Sequence, residues 1–171
     1  MNLNYYFADN KTGIKKFGAE VIKSVQGTNF DHFAIGLEDE YGETIYEAVF
    51  PKSHKISKTE WLKEYEIKYS FSFPIPVDHV SEVYQFLESQ IGKWYAFDQC
   101  IWIAIITWFK IKRKFSDRVV LNRSDAIICT ELGYLVSKQF FKNVEIINQD
   151  RVDLVQMLNI AGKIMFRREW I

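Results

Sequence analysis

Apolar and polar positions fall along this chain in short blocks. Residues 4–8 (Asn4-Tyr5-Tyr6-Phe7-Ala8) form an aromatic run that reads as a short strand. Over 11–25, Ile14, Phe17, Val21, Ile22 and Val25 recur at helical spacing, and Gly27 closes the stripe. Two strand-like runs, 32–37 and 44–50, flank the polar segment 38–43, whose Gly42 signals a hairpin. A third strand is expected over 66–73, where Ile67, Tyr69, Phe71 and Phe73 alternate with polar residues before Pro74 and Pro76 stop it. The pattern then becomes helical. Val80, Val83, Tyr84, Leu87 and Ile91 make a stripe that Asp78 would cap and Gly92 would end. A second helix is expected over 96–109, a polar connection over 110–123, and a third helix near Cys129 carrying Leu132, Leu135, Val136 and Phe140. A short helix over 153–158 and a last strand over 163–166 finish the chain. Local strand pairing with helices gathered in the second half predicts an α+β class, its mainly antiparallel sheet packed against helices.

At 171 residues the pattern suits one domain, 1–171, with a sizeable core. The aromatic share of 16% is high, which implies large buried rings or an aromatic-lined groove. Twenty-two basic and 22 acidic residues balance, so overall charge gives no sign of a nucleic-acid partner. The one basic run, Lys110-Ile111-Lys112-Arg113-Lys114, reads first as a solvated loop and second as a phosphate- or membrane-binding segment. The longest apolar run, 101–109, has about half the length needed to span a bilayer, so a buried helix and no membrane insertion are expected. Met1-Asn2-Leu3-Asn4-Tyr5-Tyr6 lacks the basic and apolar blocks of a secretory leader. The expectation is therefore a cytoplasmic, reducing setting in which Cys100 and Cys129 stay free thiols, or delivery elsewhere by a partner. Three scattered histidines and two distant cysteines show no metal-ligand spacing, and there is no glycine-rich phosphate loop, so no metal or cofactor is expected.

The candidate chemistry begins at Ile127-Ile128-Cys129-Thr130-Glu131-Leu132, which sets a thiol in the first turn of a helix. Unpaired N–H groups and the helix dipole favour an anion there and could hold an oxyanion during acyl transfer. Position alone leaves Cys129 open between a nucleophile and a small buried hydrophobe; Cys100, inside an apolar run, favours the second. About a hundred residues upstream, Asp31-His32-Phe33-Ala34-Ile35-Gly36-Leu37 puts His32 on a strand face shared with Ala34 and Gly36. Those small neighbours leave room for another element, as a base meeting a distant nucleophile requires; the alternative is a surface histidine at a strand edge. His54 and His79 read as exposed. Glu47, amid Ile45, Tyr46, Ala48 and Val49, is the candidate third member, because a carboxylate among apolar residues needs a partner. Its register is open. A turn at Tyr41-Gly42 sets Glu47 opposite Gly36, about 13 Å along the strand from His32, whereas a turn at Asp39-Glu40 sets it directly across from His32.

Four short motifs stand in one order: Phe30-Asp31-His32-Phe33-Ala34-Ile35, Tyr46-Glu47-Ala48, Gly92-Lys93-Trp94-Tyr95-Ala96-Phe97 and Cys129-Thr130-Glu131-Leu132. In these the chain resembles the circularly permuted NlpC-like branch of the papain-fold hydrolases, across about residues 5–158. That branch includes bacterial cell-wall peptidases and amidases and the lecithin–retinol acyltransferase group. Asp31 stands where the family has serine, and Ala96 where aspartate is common. The resemblance implies a permuted papain-like fold, Cys129 as nucleophile, His32 as base and Glu47 orienting it. It also makes Tyr95 a candidate hydroxyl at the site, against a plain packed aromatic.

The expected function is thus a cysteine hydrolase forming an acyl-enzyme on a cell-wall-type peptide amide of peptidoglycan. Two alternatives stand beside it. One is a lipid acyltransferase or thioesterase of the same fold, suggested by the tryptophan-rich run and its basic flank. The other is a non-enzymatic binding or assembly module. Without a leader, a carrier or larger assembly, as for a phage component or effector, would bring such an enzyme to a wall.

Overall fold

The computed structural model describes residues 1–11, 23–24, 27–96, 126–142, 144, 152–167 and 169–171. The helices expected over 11–25 and 96–109, the connection 110–123 and Cys100 fall wholly or mostly outside them. Five antiparallel strands, β1 (Asn2–Asn10), β2 (His32–Asp39), β3 (Gly42–Glu47), β4 (His54–Ser57) and β5 (Tyr65–Pro74), form one sheet in the order β4-β3-β2-β1-β5. With the helices packed on it, the class is α+β. Both sheet faces are covered, which is why β1 and β2 are buried nearly throughout.

On one face, Leu3, Tyr5, Phe7, Phe33, Ile35 and Leu37 share the main core with three helices, α2 (Val80–Ser89), α3 (Cys129–Phe140) and α4 (Leu154–Arg167). Phe33 stands edge-on to Tyr5 at 5.3 Å and to Phe7 at 5.1 Å, pairings worth about 0.5–1.5 kcal/mol each beyond the area they bury. On the other face, Tyr6, Ala8, Ala34 and Ile45 pack with Trp61 and Tyr65. Trp61 belongs to α1 (Lys58–Glu64), an element the apolar pattern does not announce. Its local signal is Ser57-Lys58-Thr59-Glu60, in which the Ser57 hydroxyl accepts the Glu60 N–H at 3.3 Å, half of the capping-box arrangement.

The hairpin turns at Glu40-Tyr41, between the two alternatives the sequence leaves open. Asp39 Oδ1 accepts the N–H groups of Tyr41 (2.8 Å) and Gly42 (3.1 Å), and Gly42 takes φ 141°, open to a residue without Cβ. Asp39 pairs with Gly42, and the ladder runs to Ile35 opposite Tyr46. One residue further along, Glu47 faces Ala34 and is diagonal to His32.

Near the hairpin end, Gly36 makes space for a buried polar cluster. Glu43 accepts from Asn4 Nδ2 (2.7 Å), the Tyr6 hydroxyl (2.6 Å) and Lys58 Nζ (2.7 Å). A Cβ at Gly36 would collide with Glu43 Oε1 and come within 2.8 Å of the Tyr6 ring. Gly36→Ala is therefore expected to lower stability by about 1–2 kcal/mol, since the carboxylate must leave partners that hold its charge. Urea unfolding measures it, and an unchanged midpoint would contradict this packing account.

Three local expectations are corrected. The strand expected over 163–166 is the last turn of α4, whose buried Leu154, Met157, Ile160, Ala161 and Ile164 keep helical spacing past residue 158. The four-residue run Lys163-Ile164-Met165-Phe166 only imitates a strand, with Phe166 exposed. Asp78 is not a cap: it lies inside a 3₁₀ turn, Val77–His79, that leads into α2 without a side-chain bond. The space beside His32 on β2 is filled from α1, while the cysteine helix approaches the opposite face.

That approach depends on Gly133. A Cβ there would lie 2.5 and 2.8 Å from Phe33 Cε1 and Cζ and 2.9 Å from Met157 Sδ. The ring of Phe33 therefore rests on bare helix backbone, one turn after Cys129. Two further bonds fix α3 along its length. The Tyr5 hydroxyl meets Ser137 Oγ at 2.9 Å, and the Thr130 hydroxyl donates to the Val152 carbonyl.

Candidate active site

Cys129 is the first residue of α3 and His32 the first residue of β2, so both stand at element ends. The strand pair β6 (Trp94–Tyr95) and β7 (Ala126–Ile127), parallel to each other, delivers the chain to Cys129, and the Ala96 N–H donates to the Ile127 carbonyl at 3.2 Å. Ile128 is the N-cap in extended geometry and supplies no side-chain cap. The N-cap side chain therefore makes no bond to the first turn, and a helix N-terminus is a local field that favours an anion.

The structure brings three of the four expected site residues into one chain of contacts. His32 Nε2 lies 2.7 Å from Glu47 Oε2, and Cys129 lies close enough to His32 to act on its ionisation. Since Glu47 occupies Nε2, Nδ1 is the ring nitrogen left for another partner. All three residues are buried: Cys129 is 8% exposed, His32 6% and Glu47 3%. The diagonal placement of His32 and Glu47 suits a long carboxylate side chain, because diagonal neighbours on adjacent strands remain within reach of one another.

Burial alone would push the His32 imidazole down, but hydrogen bonds and charge from Cys129 and Glu47 outweigh it and raise its pKa to about 10. These partners thus favour the charged form of the imidazole. Burial would likewise raise Glu47; bonds from His32, His54 and Trp61 reverse that and hold its carboxyl well below the usual range. Asp31, beside His32, accepts from the Asn10 backbone N–H (3.1 Å) and Nδ2 (2.6 Å), and burial is the main cause raising its pKa.

Tyr95, the fourth expected residue, is half-buried on β6 against Ala96 and Ile128, with its N–H donating to the Pro51 carbonyl at 2.9 Å. It sits one strand from the start of α3.

Five contacts are absent from the sequence reading. Trp61 Nε1 donates to Glu47 Oε2 at 2.9 Å. The Tyr65 ring stacks on His32, with centroids 4.8 Å apart and planes 22° apart, and Trp61 stacks on Tyr65 in turn at 4.9 Å. His54, expected in an exposed loop, is on β4 directly across from Glu47, with Nε2 3.1 Å from Oε1. His79 is partly covered, stacked on Trp170. In the polar stretch 51–66, Trp61 together with Ile56, Leu62 and Tyr65 is the signal that an apolar surface passes there. Nothing in the sequence marks His54 as a partner of Glu47 before the strand register is known.

Among the described residues no group of three histidine, cysteine, aspartate or glutamate side chains could hold a metal ion, and no helix is long and apolar enough to cross a membrane. No family model matches the chain, and no curated protein matches it.

Proposed function

We propose that the protein is a cysteine hydrolase that cleaves an amide through an acyl-enzyme on Cys129. The observation that supports it best is the buried series Cys129–His32–Glu47, in which a carboxylate holds one imidazole at 2.7 Å and the cysteine lies beside it. A buried histidine with a raised pKa and a fixed orientation is more than packing requires.

On this reading the Cys129 sulfur attacks the carbonyl carbon and forms a thioester, breaking the C–N bond. The departing nitrogen takes a proton from His32, so the amine leaves neutral. The neutral imidazole then removes a proton from water, whose oxygen attacks the thioester. The acid leaves, and sulfur and His32 regain their starting pair. Glu47 stabilises the charged imidazole and keeps its Nδ1 edge toward the sulfur. Backbone N–H groups at the start of α3 supply donors for the tetrahedral oxyanion. The resemblance makes a cell-wall-type peptide amide the favoured substrate.

The test is alkylation of Cys129 by iodoacetamide at pH 7, read by peptide mapping and compared with glutathione. The wild-type site should label faster than the free thiol, and His32→Ala should slow hydrolysis of peptidoglycan fragments by about a hundredfold or more. Labelling no faster than glutathione, with no effect of His32→Ala, would sink the enzyme reading and leave a binding module. Turnover of phospholipid or thioester but not of peptide would instead select the acyltransfer branch.

A further inference from the structure

Glu47 has two carboxylate oxygens, and the proposed mechanism uses one. Oε2 receives His32 and Trp61, whereas Oε1 faces a second imidazole, His54 Nε2 at 3.1 Å. We propose that His54 is a positioning residue, a second histidine on Glu47 that fixes the carboxylate so that its other oxygen stays on His32. The inference rests on the reading of Cys129 and His32 as the reacting pair.

Three features of the fold favour this role over a chance contact. First, the pairing is set by backbone register: Glu47 and His54 are Cα partners in the β3–β4 ladder, where side chains directly across from each other stand about 4.5–5.5 Å apart at Cβ. Second, the residue before His54 is anchored. Ser53 is buried, donates its N–H to the Lys93 carbonyl at 2.9 Å and its hydroxyl to the Gln90 carbonyl at 2.6 Å, and accepts the Gly92 N–H at 3.0 Å. Pro51 and Lys52 are joined to β6 next to it, through the Tyr95 N–H and the Lys52–Trp94 bridge. Position 54 is therefore held by the same segment that borders the start of the cysteine helix. Third, the bond meets a geometric need. A buried carboxylate on a flexible glutamate stem can rotate about its last torsion, and two donors on Oε2 alone would leave that torsion loosely defined. A donor on Oε1 fixes the plane of the carboxylate, so the oxygen facing His32 Nε2 keeps its direction.

His54 has a side chain 44% exposed. Its removal should therefore disturb the core little and act mainly through Glu47. The experiment compares His54→Gln, which keeps an N–H donor, with His54→Leu, which keeps bulk and loses the donor. Each full-length variant is checked by thermal melting. The two readouts are the pH profile of Cys129 alkylation and the imidazole nitrogen resonances of His32 in long-range ¹H–¹⁵N spectra. His54→Leu should slow alkylation at pH 7 by about three- to tenfold, shift the profile, and move His32 toward its neutral form; His54→Gln should recover most of the rate and of the His32 signal. Wild-type rates, profile and resonances in His54→Leu would overturn the role. Equal losses in both variants would overturn it too, because the donor would then not be what matters. If wild-type Cys129 proves no more reactive than glutathione, the hydrolase reading fails by itself. The His32 resonances then still decide whether His54 governs the Glu47–His32 contact: a shift confined to His54→Leu supports it, and none refutes it.

Discussion

Gly133→Ala should destabilise the protein by about 1–3 kcal/mol and slow Cys129 alkylation, although the same change at an open helical position would be stabilising. Alanine gains roughly 1 kcal/mol over glycine in a helix interior. At Gly133 that gain meets a wall, because the added Cβ would sit 2.5 and 2.8 Å from two Phe33 ring atoms and 2.9 Å from Met157 Sδ. Phe33 cannot swing aside, being fully buried between Tyr5 and Phe7, so α3 must lift from β2 or the ring must deform, at the typical cost of overpacking. Lifting α3 also moves Cys129, one turn away, off His32. Gly162 in α4 is the control: nothing lies within 4 Å of a Cβ placed there. Gly162→Ala should raise Tm by roughly 2–4 °C while leaving alkylation unaltered. A Gly133→Ala protein as stable and as reactive as wild type would show that the close contact with Phe33 does not set the height of the helix.

How much of this site could be read from the chain varies with the range of each interaction. Cys129 at a helix mouth and His32 on a strand follow from local patterning, since periodicity and β-branched residues act over a few positions. The α+β class and the antiparallel pairing of β2 with β3 are legible for the same reason. Glu47 was legible in parity but not in register: sliding the two-residue turn by one residue moves it along the strand by two positions of its partner, and the choice fell to Asp39 Oδ1 bonding the Tyr41 and Gly42 N–H groups. The role of Ala34 and Gly36 was misassigned. Small residues announce that something comes close, not which element does, and here α1 and Glu43 fill the space. Gly133 gives the converse case, an unremarked helix glycine through which the cysteine helix meets the sheet. His54 stayed hidden because its partnership with Glu47 arises only when β4 adds to the edge of β3.

Glu47→Leu should have the larger effect, about 3–5 kcal/mol near pH 6, because it strips a buried charge from a site whose other members stay behind. His32 Nε2 and Trp61 Nε1 both lose their acceptor at once, and a buried N–H without one costs about 1–3 kcal/mol. The pH dependence carries a sign on each side. Glu47 in the folded protein lies below its ordinary value of 4.5, so its stabilisation is complete above that pH and fades as pH falls. His32 is raised from 6.5 to about 10. Its stabilisation is complete below 6.5 and fades as pH climbs toward 10, because the unfolded chain releases a proton that the folded one keeps. The wild-type advantage over Glu47→Leu should therefore peak between about pH 4.5 and 6.5 and shrink in both directions. Glu47→Gln separates charge from shape: its amide oxygen can still accept from His32 and Trp61, so it should lose less stability than the leucine variant. Without the negative charge His32 holds its proton less firmly, so the glutamine variant should still alkylate more slowly at pH 7. Urea unfolding across pH 4–9 on the three proteins measures all of this, and a stability difference that does not vary with pH would mean that the Glu47–His32 pair is held by packing rather than by charge.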